Sequence, residues 1–241
     1  MSTEQQSNPF NYFSRRVVFT LFLVVVLSNQ VTSQNKASFV AVNSGISIPV
    51  GKYAGKDLQT GSFALPGFNM NIDGAWYFLS WLGVGGQAGL NLHPVDVSAL
   101  GYAKVLDDPF LEDVTIRSDP YQVVTSVVGL YARWDILPNF HLQGKLTGGM
   151  MWAKTPYQLY KPQYYLVGPD YFEITSAKSK NFMGMAGLSL QVNISPCIGL
   201  KIEGDYAYSE MTFGFKTATA TRYDFRVVSF INTTLGLVII L

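Results

Sequence analysis

The sequence predicts an all-β fold: an eight-stranded antiparallel up-and-down transmembrane β-barrel that follows a cleaved signal peptide. Three observations predict it. Long segments alternate apolar residues with small or polar ones, the period of a strand with two unlike faces. The connections between these segments are short and long in turn. Large aromatic residues gather at segment ends rather than mid-strand, where a soluble sandwich core would place them.

The N-terminus directs the chain out of the cytoplasm. Arg15 and Arg16 precede the apolar run 17–27, and small residues then lead to Ser33. This is the layout of a secretory signal, and the run is shorter than the roughly 20 residues of a membrane helix. Residues 1–33 are therefore assigned to a signal peptide and 34–241 to a single barrel domain. The paired arginines resemble a twin-arginine signal, but their flanks fit poorly. The stretch before Arg15 is long for a leader, which leaves the true start codon open.

The first barrel strand is expected at 36–48, where Val40, Val42, Ile46 and Ile48 oppose Ala41, Asn43, Gly45 and Ser47. The second is GFNMNIDGAWYF (67–78). Phe68, Met70, Ile72, Trp76 and Phe78 share one face, and Asn69, Asn71, Asp73 and Tyr77 the other. The third is LGVGGQAGLNL (82–92), with Gly83, Gly85, Gln87, Gly89 and Asn91 on its polar side. The same rhythm runs through 122–135, 140–152, 181–194, 198–208 and 226–241, although Val238 and Ile240 blur the last. Eight is an even number and within the range of the smallest transmembrane barrels.

Long connections are expected at 49–66, 93–121, 153–180 and 209–224, and tight ones near 79–81, 136–139 and 195–197. Soluble domains rarely carry several loops above about 12–15 residues. With both termini on the tight-turn side, that side is expected to face the periplasm. Trp76, Phe78, Trp81, Trp134 and Phe140 cluster at the tight-turn end. Phe68, Trp152, Phe182, Tyr206 and Tyr208 cluster at the long-loop end. Two interfacial aromatic belts are expected from this placement.

The charged residues Asp73, Arg133, Asp135, Lys145, Lys201, Glu203 and Asp205 all take the parity opposite the apolar face. Exposed to lipid, an unpaired Arg or Lys costs about 2–4 kcal/mol at the midplane. Inside an eight-stranded barrel, whose interior is just wide enough for side chains to fill, such groups can pair. They are expected to form an internal polar network that closes the lumen.

The segments GISIPVGKYA (45–54), GFNMNIDGAWYF, LGVGGQAGL and VVGLYARWDILPNFHLQGKLTGGMM (127–151) resemble the outer-membrane protein β-barrel domain family common in Bacteroidetes-type bacteria. The resemblance covers roughly 36–241 and extends in architecture to eight-stranded OmpX/OmpW-like barrels. It implies the fold and a bacterial outer-membrane location, reached through the periplasm, and little chemistry. One departure is the C-terminus, which is Leu241 where such barrels usually end in an aromatic residue read by the insertion machinery.

Composition excludes several classes. Removing residues 1–33 takes Arg15, Arg16 and Glu4 from 17 basic and 16 acidic residues, leaving 15 of each. Nucleic acid is not an expected partner of a chain with no basic excess. Cys197 is the single cysteine, so no intramolecular disulfide and no thiolate metal cluster can form. No cofactor, metal or catalytic site is expected. His93 and His141 stand in no motif with a serine and a carboxylate, and the acidic run DDPFLED (107–113) has no cation-loop spacing. GAW (74–76) is similar to a lipocalin tripeptide but lies on the wrong strand.

Function is expected at the long loops. Tyr157, Tyr160, Tyr164, Tyr165 and Tyr171 make 153–180 a candidate ligand surface, since tyrosines give stiff contact area with a polar tip. The favoured role is a structural or surface-interaction barrel. It would touch outer-membrane lipid, lipopolysaccharide, and a surface glycan or protein. It needs no second copy, because a closed barrel has no free edge. The alternative is a narrow transport or binding barrel for small hydrophobic molecules. A soluble secreted barrel or a lipid-modifying enzyme is the remaining class.

Overall fold

The computed structural model describes residues 38–165, 171–216 and 221–241. The expected signal peptide (1–33) and Pro169 lie outside the described residues. Among the latter, the elements in chain order are β1 (Phe39–Pro49), a 3-10 turn (Gly51–Tyr53), β2 (Gly67–Tyr77), β3 (Leu82–His93), α1 (Val97–Asp107), β4 (Leu111–Ser118), β5 (Tyr121–Leu137), β6 (Phe140–Lys154), β7 (Gln158–Tyr164), β8 (Phe172–Ile174), β9 (Lys178–Asn193), β10 (Ile198–Lys216) and β11 (Thr221–Ile240).

Eight of these strands close into a barrel in the order β1-β11-β10-β9-β6-β5-β3-β2. Every pairing is antiparallel, and closure runs from Phe39↔Ile240 to Pro49↔Phe230. The register fixes the geometry. A row that starts at Tyr77 passes Gly83, Tyr131, Lys145, Gly187, Asp205, Asn232 and Ser47, then re-enters β2 at Gly67. Tyr77 and Gly67 are ten positions apart, which is the stagger of the closed sheet. Eight strands with that stagger tilt by about 40° at standard strand spacings.

The barrel inverts the polarity of a soluble core. Lys201, Glu203, Asp205, Asp73 and Asn71 are buried, while Val42, Ile72, Val128, Leu146, Leu188 and Leu237 stand exposed on the outside. On β10 the outward apolar positions run from Ile198 to Tyr208 and end at Glu210. Ten residues at that tilt span about 25 Å, the height of a membrane-barrel apolar band. All ten residues of the two aromatic sets are exposed on the outer surface, Trp76 at 60% and Phe182 at 65%.

The lumen is filled in layers. At the tight-turn end Phe39, Ala41, Ala75, Tyr77, Tyr131 and Val238 pack together. Val238 blurred the alternation in the sequence because this inward layer is itself apolar. The charged layer lies next. Above it Met151, Met183, Met185, Met211, Phe213 and Phe230 form a second apolar layer. Methionine suits this position, because its unbranched chain fills irregular gaps.

The connections depart from expectation in two ways. The fourth, placed at 209–224, is shorter: β10 and β11 pair without a break from Ile198↔Ile239 to Lys216↔Thr221 and form a tall hairpin. Above the belt the alternation persists with its polarity inverted: Met211 and Phe213 turn inward and Glu210 and Thr212 outward, because the outer face there meets water rather than lipid. The second and third connections are structured, carrying α1 and a separate sheet in the order β4-β7-β8. Helix α1 begins where Asp96 accepts a hydrogen bond from the Ala99 N–H at 3.0 Å, satisfying a free first-turn donor. The Lys56 ammonium, 2.8 Å away, and that N–H hold the Asp96 carboxyl below the usual carboxylate range.

Candidate functional site

Two regions carry the polar chemistry: the charged layer in the lumen and the cap over its long-loop end. In the lumen the structure brings Asp73, Lys145, Lys201, Glu203 and Asp205 together. Lys201 Nζ lies 2.5 Å from both Asp73 Oδ2 and Glu203 Oε2. Lys145 Nζ lies 2.9 Å from Glu203 Oε1 and from Asp205 Oδ2. Glu203 thus bridges two ammonium groups. Gln87 accepts from Lys145 at 2.6 Å and donates to Asp205 at 3.2 Å, and Asn43 donates to Asp73 at 2.6 Å.

Two glycines make these reaches feasible. Lys145, Gly187 and Asp205 sit side by side on three adjacent strands. A Cβ on Gly187 would stand 2.0 Å from Asp205 Oδ1 and 2.8 Å from Lys145 Cε. Gly236 lies between Lys201 and Asn43 in the same manner, and a Cβ there would stand 1.8 Å from Asn43 Oδ1.

Asp135 does not join this cluster. Arg133 is buried, but the Asp135 side chain is 58% exposed, which corrects its assignment to the barrel interior. It sits at the tight-turn mouth, where an irregularity in the β5–β6 register after Asp135 ends the enclosed part of the strand. There Arg133 Nε donates to Asp135 at 2.7 Å, and His141 Nδ1 lies 2.5 Å from the same carboxylate. His141 Nε2 lies 2.9 Å from Asn193 Nδ2.

His93 is fully buried between Ser47 Oγ at 2.8 Å and the Tyr53 hydroxyl at 3.1 Å. A serine within reach of a histidine suggests a nucleophile, yet both side chains are shut away from solvent. The trio forms a hydrogen-bonded tie between β1, β3 and the 3-10 turn.

Above the lumen, Phe63, Val95, Leu100, Ile116 and Tyr160 form the core of the cap. Tyr160 is only 1% exposed, so it is not the solvent-facing contact residue expected of loop 153–180. The period of β7 turns it inward, where it stacks on Phe172 at 4.7 Å and lies beneath Lys104. Tyr165 and Tyr171 are exposed, Lys161 lies over the Tyr171 ring, and Tyr157 donates to Glu173. The five tyrosines therefore do not share one surface. The acidic run is taken up locally, with Asp108 accepting from the Phe110 N–H and Glu112 from Gln163.

Truncating Tyr160 to Ala is expected to remove about 3–5 kcal/mol of cap packing, the usual cost for a buried ring. Limited proteolysis should then cut within 94–120 and 155–177. Heat-modifiability on gels should still report a folded barrel.

Between cap and barrel lies a cavity of about 430 Å³. The β10–β11 hairpin supplies one wall through Phe213, Phe215, Arg222, Asp224 and Arg226. The cap supplies the other through Leu100, Lys104, Tyr160 and Ile174. Phe63 also lines it with a left-handed backbone (φ 52°), held by hydrogen bonds to Gly55 O and from Asp96 N. Such a conformation costs about 1–3 kcal/mol and persists where its surroundings over-determine it. Apart from Tyr160, sequence reasoning missed these residues. The signal was present in the β10 parity, which continues from Asp205 to Phe213 and Phe215.

No protein-family model and no curated protein matches this sequence. Solved structures do resemble it. Neisserial surface protein A is 7% identical, with a TM-score of 0.48, over 84% of this chain and 96% of that one. The attachment invasion locus protein Ail of Yersinia pestis is 16% identical, with a TM-score of 0.44, over 86% and 100%. The outer membrane protein AlkL in lipid bilayers is 12% identical, with a TM-score of 0.47, over 88% and 93%. The closed barrel stands on its own strand register, independent of these likenesses.

Proposed function

We propose that the chain is an integral outer-membrane β-barrel whose lumen is closed by its own side chains and which acts as a surface-interaction protein through its cap. The observation that carries this reading is the inversion of polarity. An ion-paired interior stands behind an apolar exterior about 25 Å tall, an arrangement that lipid stabilises and water does not. Phe68, Trp76, Phe78, Trp81, Trp134, Phe140, Trp152, Phe182, Tyr206 and Tyr208 then anchor the two interfaces. Lipid and lipopolysaccharide contact the wall, and a surface glycan or protein contacts the cap. Closure of β1 on β11 removes the edge that would require a second copy.

The tight turns and the strand ends Phe39 and Ile240 share one end, which faces the periplasm in this reading. Cys197 reports that sidedness, because it is exposed in the turn between β9 and β10. On intact cells a 5-kDa maleimide polymer is expected to leave Cys197 unmodified and to label a Tyr165→Cys variant in the cap. After permeabilisation both sites should react. Labelling of Cys197 on intact cells, or a protein recovered in the soluble fraction without detergent, would overturn the reading.

A second reading, binding of small hydrophobic molecules, is favoured by the cavity beneath the cap. Passage through the lumen is opposed by the two apolar layers and the ion pairs between them.

A further inference from the structure

We infer that the cavity between cap and hairpin is a binding site for a small monoanionic amphiphile, an apolar body that carries one carboxylate. The inference deepens the second reading above and rests on the cap end being accessible from outside. It has three supports.

The first is size and wall chemistry. At about 30 Å³ per water-sized group, 430 Å³ holds about fourteen such groups, within the range of small-molecule sites. The apolar walls come from both sides: Phe213, Phe215 and Val228 on the barrel, Leu100 and Ile174 on the cap. The second is the orientation of the tyrosines. Tyr121 donates its hydroxyl to Ser62 O, Tyr53 is engaged with His93, and Tyr160 donates to Gln158. Their polar ends are occupied, so the cavity meets ring rather than hydroxyl. Burial pushes the Tyr160 phenol up from its ordinary value.

The third is charge. Five charged residues line the space. Asp224 holds Arg226 through Nε at 3.0 Å and Nη2 at 2.9 Å, and Arg226 also donates to Gly61 O. Glu173 receives the Tyr157 hydroxyl. Lys104 rests over the Tyr160 ring at 5.1 Å, and Arg222 stands exposed on β11. Neither forms an ion pair among the described residues. With Asp224 and Arg226 paired, Lys104 and Arg222 outweigh Glu173 by one positive charge, and apolar walls around that single excess charge favour an apolar monoanion over a neutral hydrophobe or a cation. Arg222 offers two parallel N–H donors to a carboxylate, and Lys104 a point charge.

The test uses the full barrel in lipid nanodiscs, with empty nanodiscs as the blank. Calorimetric titration with 2-naphthoate is expected to show one saturable site, with 2-naphthalenemethanol binding at least tenfold more weakly. Decanoate, added as a competitor, distinguishes a chain from a flat ring as the natural body: displacement admits both, and failure restricts the site to planar acids. Lys104→Gln and Arg222→Gln should each weaken naphthoate several-fold, and together tenfold or more. Val228→Trp should fill the cavity and abolish binding. If that variant fails to fold by heat-modifiability, Leu100→Trp fills it from the cap. Equal binding of acid and alcohol, or no effect of the two Gln substitutions, would overturn the inference. Surface labelling of Tyr165→Cys together with absent naphthoate binding would refute the site and leave the surface-interaction reading standing.

Discussion

Replacing Lys201 with Met will destabilise the folded barrel by about 3–5 kcal/mol, the cost of leaving a buried charge without its partner. Lys201 is 1% exposed and sits between Asp73 and Glu203 at 2.5 Å from each. Without it, three carboxylates share the single ammonium of Lys145. Repulsion adds to lost pairing. The loss is read from equilibrium urea unfolding in bicelles or from a lowered temperature of gel-shift conversion. Adding Asp73→Asn to Lys201→Met should recover part of the loss, because Lys145 then faces two carboxylates and the cluster returns to its original excess of one negative charge. A double variant as unstable as the sum of its parts would mean that the two residues do not couple.

The second large effect is expected at Gly187. Substitution by Val places branched carbon where Lys145 crosses to Asp205. Overpacking alone costs about 1–3 kcal/mol. Here the displaced atoms are those of a buried ion pair, so the loss should match or exceed that of Lys201→Met. Gly204 is the control on the same sheet. It takes the outward parity, and nothing lies within 4 Å of a Cβ built there. Gly204→Ala should change stability by no more than about 0.5 kcal/mol. Equal effects at the two positions would contradict the assignment of inward and outward faces.

The barrel was legible in the chain because lipid enforces a strict rule. Every outward position must be apolar or small, so a period of two runs unbroken through Ile198, Leu200 and Ile202, or Phe68, Met70 and Ile72. The inward charges were legible for the complementary reason. Their partners were not, because pairing depends on a stagger that brings Lys145 of β6 to Asp205 of β10 across β9. The glycines that open this path carried a signal only once the register was known.

The cap was the least legible part. Above the membrane no solvent rule separates faces. Helix α1 and the β4-β7-β8 sheet arise from contacts between distant connections, such as the Ala64↔Val95 bridge and the stacking of Tyr160 on Phe172. Tyr160 shows the consequence. In sequence it is one of several tyrosines between prolines, and only the turn of β7 separates it from exposed Tyr165. The cavity has the same origin, since its walls come from residues between Tyr53 and Val228.

In the proposed reading, side chains close the lumen. Current recorded from purified protein in planar lipid bilayers tests it most directly. The filled interior, with Phe39, Tyr77 and Tyr131 at one end and Phe213 and Phe230 at the other, predicts no steady conductance at moderate voltage. A steady, reproducible single-channel conductance from protein that heat-modifiability shows to be folded would contradict it.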